Sequence, residues 1–141
     1  MTTELTWLML TAILAASLWI PYIIGINVST FDGQATLFER PPDQSKMPAW
    51  VHRSYRAHQN LLEQFLPFAI IVLIAHMVKV STPVTQWCVI LFFWLRVAHA
   101  VGMISGKARL PVRPLIYVSG WAIILALVWT IWVNSGQLPT L

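Results

Sequence analysis

The sequence predicts an all-α membrane protein, a bundle of four transmembrane helices forming one domain over residues 1–141. Three observations carry this. Of 141 residues, 57% are hydrophobic and only 10% charged, whereas a soluble domain has about 25% charged residues. Four apolar runs, at about 5–25, 56–80, 84–104 and 113–134, reach the length of roughly 20 residues that crosses a bilayer. Eight tryptophans suit a chain whose helix ends sit at bilayer interfaces, where indoles concentrate. Trp7, Trp50, Trp87, Trp129 and Trp132 lie near the expected ends.

The first run has no charge after Glu4, and Pro21 is placed to kink it near its end. It is too long for a signal peptide and lacks a basic start and a small-residue cleavage site, so a retained helix is expected. A long connection follows over about 26–52, where Gly33, Pro41, Pro42 and Pro48 oppose a continuous helix. The second run contains Pro67, and a kink is expected there; such a proline is tolerated when neighbours satisfy the freed carbonyl. In "KVSTPVTQ", Ser81 and Thr82 before Pro83 end one helix and start the next. After the third run, Gly106 is a helix stop and Pro111 an N-terminal residue of the fourth helix. Cys88 is the single cysteine, which excludes an intrachain disulfide; it reads as a small packing residue.

The net charge of +4 is uneven. Arg40, Lys46, Arg53, Arg56, Lys107, Arg109 and Arg113 fall in or beside the first and third loops, and only Lys79 flanks the second. The positive-inside rule places loops one and three in the cytoplasm and both termini outside. The charges are sparse and membrane-adjacent, so no nucleic-acid partner is expected. The short chain suits a bacterial cytoplasmic membrane, with an organelle membrane as the alternative.

"RSYRAHQNLLEQF", residues 53–65, is the polar exception at the mouth of the second run. At about 100° per residue, Arg53, Arg56, Asn60 and Glu63 share an arc of roughly 80°. His52 lies close to that arc, Gln59 beside it, and His58 opposite. From the third run Arg96 and His99, three residues apart, share a face. At about 1.5 Å per residue, Glu63 and Arg96 match at roughly 15 and 13 Å of depth. A charge in lipid costs several kcal/mol unless paired or wetted, so a Glu63–Arg96 ion pair or shared network is expected. Such a pair can also serve only to hold a bundle together. Likewise His52, Arg53, Lys107 and Arg109 can anchor helices at anionic headgroups. Arg113 and Tyr117 are four apart at the start of the fourth helix, a position suited to an anion. The resulting pocket is cationic with one deep carboxylate. It suits a small polar ligand with several negative groups and one ammonium, while a second, lipophilic ligand reaches it from the bilayer.

"RSYRAHQNLLEQFLPF" resembles the second-helix signature of the MAPEG superfamily, the membrane-associated proteins in eicosanoid and glutathione metabolism. The pattern runs roughly E-R-x-x-R-A-x-x-N-x-x-E, and Arg53, Arg56, Ala57, Asn60 and Glu63 match it in register. "RVAHAVGMISGKARLPVRPLIY", residues 96–117, is similar to the third-to-fourth-helix segment of the prostaglandin synthase branch. The resemblance implies a homotrimer with glutathione bound between subunits near the cytoplasmic face. It implies that Arg53, Arg56, Asn60, Glu63, Arg96, His99 and Tyr117 bind glutathione and that Arg113 stands beside its thiol as the catalytic residue. The expected activity is that of a glutathione transferase. The thiolate attacks a lipophilic electrophile in the membrane or reduces a lipid hydroperoxide, and no metal is needed. Val51 or His52 stands where the family has an acidic residue, Gln59 replaces a basic one, and Pro114 follows Arg113 in place of a serine. A family tyrosine is missing around Met103 and Ile104. These departures point away from prostaglandin synthesis and leave the electrophile open. Two other readings of the same residues are a non-catalytic lipid-binding or scaffold protein of this fold and a small membrane transporter.

Overall fold

A computed structural model describes residues 1–30, 43–108 and 111–136. The first span is two helices, not one. Helix α1 (Thr3–Ser17) is capped by Thr2, whose hydroxyl accepts the Leu5 amide at 3.4 Å. Helix α2 (Ile20–Val28) follows after Leu18 and Trp19 and carries a proline in its first turn. Pro21 has no N–H to give the Ser17 carbonyl, and its ring crowds that carbonyl. The expected kink is therefore a break, and the span still runs from Thr3 to Val28. Gly33, Arg40, Pro41 and Pro42 of the first connection lie outside the described residues, as does Arg109.

A short 3-10 turn, Gln44–Lys46, leads into the third helix. The Asp43 carboxylate accepts from the Ser45 amide at 2.9 Å and the Ser45 hydroxyl at 2.7 Å. These hydrogen bonds hold its carboxyl below the usual carboxylate range. Helix α3 (Ala49–Met77, 29 residues) begins about two turns before the expected 56. Pro48 supplies the stop, and no glycine or proline interrupts 49–66, so the whole polar stretch 52–64 is helical. Pro67 sits inside α3 and leaves the Glu63 carbonyl without its helical donor. At the far end Lys79 adopts a left-handed conformation, φ 57°. The Val80 amide there donates to Ala75 O at 2.9 Å, closing the helix.

Helix α4 (Pro83–Ser105) starts as the turn motif predicts. Thr82 and Thr85 exchange backbone-to-hydroxyl hydrogen bonds in a capping box. It ends at Gly106, φ 75°, where the left-handed backbone favours a residue without Cβ. Helix α5 (Val112–Ser135) begins one residue after Pro111.

Helices α3 and α4 form the centre. α1 packs against both on one side and α5 against both on the other, with α2 on α3. Phe68 and Phe92 stack at 3.8 Å between centroids in the core, among Val72, Val89, Ile124 and Leu127. Trp87, Trp129 and Trp132 are exposed, whereas Trp7 packs against Phe93 at 5.2 Å. Four helical spans are long and apolar enough to cross a membrane, and they present large exposed side chains such as Leu66, Leu115 and Trp121. This is an integral, multi-pass membrane architecture.

Candidate functional site

Three helices contribute side chains to one polar cluster. On α3 the inward face carries Ser54, Ala57, Leu61, Gln64 and Phe68, with buried Asn60 at its edge. On α4, Phe92, Arg96, His99 and Met103 share the inward face. On α5, Arg113, Tyr117 and Gly120 follow at helical spacing. The α5 backbone comes unusually close here because Gly120 has no side chain. A Cβ at that position would collide with Gln64 Oε1 and stand 2.6 Å from Arg96 Nη2.

Two hydrogen bonds tie α5 down. Gln64 Nε2 donates to Tyr117 O at 3.0 Å, and Arg96 Nη2 donates to Ile116 O at 3.0 Å. Each carbonyl has a second lone pair beyond its helical bond. Arg96 is 1% exposed, and its guanidinium rests 5.4 Å from the Phe92 ring centre, an arrangement favourable to a cation. Above this layer Asn60, His99, Arg113, Pro114, Tyr117 and Val118 line a cavity of about 340 Å³. That is near the small end of ligand sites, which span about 300–1,000 Å³.

The cluster keeps hydrogen-bonding capacity. Gln64 Oε1, Arg96 Nε, Arg96 Nη1 and His99 Nε2 are buried and have no partner among the described residues, whereas buried polar atoms ordinarily find one. A guanidinium with two such donors beside a cavity lined by a second guanidinium favours an anion. Among the described residues, no group of three or more His, Cys, Asp or Glu side chains gathers as a metal site would require.

The sequence-derived residues divide. Asn60, His99, Arg113 and Tyr117 meet at the cavity and Arg96 lies with Gln64 beneath it. Arg53, Arg56 and Glu63 do not line it. Arg53 closes the end of α4, donating from Nε and Nη2 to Ile104 O at 3.4 Å. Arg56 and Glu63 are exposed. The expected Glu63–Arg96 pair does not form within the chain, because Arg96 is buried against α5 while Glu63 faces outward. The helical arc explains this. The inward face of α3 centres near Phe68, and at about 100° per residue Asn60 lies roughly 80° from that centre and Glu63 roughly 140°. With α3 starting at Ala49, Glu63 lies about 21 Å from its start against about 13 Å for Arg96 from the end of α4, and the polar arc straddles the edge of the bundle. Gln64 was missed, although a glutamine four residues after Asn60 in an apolar run carries a readable signal.

A model of the MAPEG family matches residues 5–133, nearly the whole chain. The chain belongs to the MAPEG family. No individual curated protein matches it. Membership makes it a membrane protein related to glutathione and eicosanoid metabolism, in a family that includes glutathione transferases and related enzymes. The two MAPEG-like motifs thus meet in space, since Asn60 comes from the first and His99, Arg113 and Tyr117 from the second.

Proposed function

We propose that this MAPEG protein is a membrane-bound glutathione transferase that activates the glutathione thiol for attack on a lipophilic electrophile, and that the same thiolate reduces lipid hydroperoxides. The observation that carries this reading is the gathering of Asn60, His99, Arg113 and Tyr117 around one cavity above buried Arg96. Glutathione fits the donor set. Its carboxylates suit the positive charge that buried Arg96 places beneath the cavity, and its amides match Asn60 and Tyr117 on the wall. A free thiol, with a pKa of about 8.5, is only a few per cent thiolate at neutral pH. Arg113 is exposed at the cavity wall, and a cation held there beside the sulfur favours the thiolate, by about 1.4 kcal/mol for each unit of lowered pKa.

The outward position of Arg56 and Glu63 supports a homotrimer. Glu63 is fourteen residues into α3, about 21 Å from its start, near the middle of a membrane-spanning helix. A lipid-facing carboxylate at that depth is costly, and a neighbouring subunit covering this face removes the cost. The neighbour then supplies or receives the contacts that Arg56, Glu63 and the glutathione ammonium need. Arg53, Arg56, Lys107 and Arg113 gather at the cavity end of the bundle. By the positive-inside rule that end faces the cytoplasm.

The test is conjugation of glutathione to an aryl halide by the detergent-solubilised protein. Wild type turns over, and Arg113→Ala lowers kcat/KM on the order of 100-fold. Wild-type protein that binds glutathione without turnover contradicts catalysis and favours a scaffold role. Thiol-independent flux in liposomes favours transport.

A further inference from the structure

The opposite end of the bundle holds a second built site that the glutathione reading does not use. Glu4 opens α1 yet is 4% exposed. Its Oε1 accepts from the Ser81 hydroxyl at 2.8 Å and the Thr85 hydroxyl at 2.7 Å. Its Oε2 is buried and, among the described residues, has no hydrogen-bonding partner within 3.5 Å. Glu4 forms part of the wall of a cavity of about 240 Å³, with Thr2, Ala75, His76, Lys79, Val80 and Ser81. Thr85 and His99 stand fourteen residues apart on α4, so the two cavities lie about 21 Å apart along that helix.

Lys79 sharpens the reading. It occupies the left-handed position that closes α3, φ 57°, where a β-carbon is disfavoured and glycine is the usual occupant. The backbone gains nothing from a lysine there, but the cavity gains a cation beside His76. The site thus has a carboxylate oxygen in need of a donor, a cationic rim and an apolar wall, all where three membrane spans begin or end.

We propose that this cavity binds the headgroup of a phospholipid with a primary ammonium, its ammonium on Glu4 Oε2 and its phosphate against Lys79 and His76. The location, where α1 starts, α3 ends and α4 starts, puts the headgroup at the bilayer surface and its acyl chains along the exposed apolar helix faces.

The experiment depletes the full-length protein of lipid in detergent. It then measures retained lipid by native mass spectrometry after adding ethanolamine or choline phospholipids of identical acyl chains. Wild type retains the ethanolamine lipid about tenfold better. In Glu4→Gln the amide oxygen still accepts both hydroxyls, and the preference falls to near unity. Lys79→Gly weakens retention of both lipids while the lipid-free protein is at least as stable, because the backbone strain is relieved. Equal retention of both lipids by wild type, or an unchanged preference in Glu4→Gln, overturns the proposal. Should Glu4→Gln fail to fold, the wild-type comparison and Lys79→Gly decide. Competition by soluble glycerophosphoethanolamine as strong as by the lipid overturns the lipid assignment.

Discussion

The two ends of α4 hold polar side chains in opposite ways. At its start Thr82 and Thr85 satisfy each other and Thr85 joins Ser81 on one oxygen of Glu4, so a single carboxylate atom remains without a partner. At its far end Arg96 and His99 sit with Gln64, and four buried atoms remain unpaired under an open cavity. The first arrangement pins α1 to the α3–α4 turn, leaving one oxygen to the small cavity beside it. The second keeps donors available and holds α5 only through two backbone carbonyls. Polarity that satisfies itself mainly builds structure, and polarity left open at a cavity is available for chemistry.

Substitutions can separate the ends. The largest structural effect is expected from Gly120→Ala. The new methyl has Gln64 and Arg96 in its way, and overpacking of this kind costs about 1–3 kcal/mol. Because those residues hold α5, thermal stability and glutathione affinity should fall together. Unchanged affinity, measured by isothermal titration, would mean that the layer beneath the cavity does not position it. Next in size is the outward face. Arg56→Ala or Glu63→Gln should leave the helical content of the chain intact. If the proposed trimer and glutathione site hold, each should weaken glutathione binding about tenfold, roughly 1.4 kcal/mol, with dissociation of that trimer seen by native mass spectrometry. A fully intact trimer with unchanged affinity would remove these residues from the interface. The smallest change is Thr85→Val, which strips one hydroxyl from Glu4 and from the Thr82 amide and costs about 1 kcal/mol. Its melting temperature should drop while glutathione affinity stays at the wild-type value. Loss of affinity would show the two ends to be coupled.

Much of this was legible in the residues themselves. Four spans follow from apolar length alone, and Thr82–Pro83 and Gly106 mark their helix boundaries because capping and left-handed turns demand particular residue types. Asn60, Arg96, His99 and Arg113 were readable as one cluster because helical spacing can be counted, but the same count drew in Arg56 and Glu63, which face outward. Counting does not give the rotation of α3 about its axis. That rotation is set by Ala57, Leu61 and Phe68 packing inward, and it is what turned Glu63 away from Arg96. The burial of Glu4 was not legible, because it depends on hydroxyls about eighty residues away in sequence. The α1–α2 break was half legible: Pro21 gave its place but not its extent.

On the proposed reading the Arg113 end of the bundle holds a glutathione sulfur as its anion. It is tested most directly by titrating the ultraviolet thiolate absorbance of glutathione bound to the solubilised wild-type protein against pH. The thiolate band should appear one to two units below the free thiol's value of about 8.5 and return toward that value in Arg113→Ala. A bound thiol that titrates at its free value in wild type, or a band unmoved by Arg113→Ala, would contradict it.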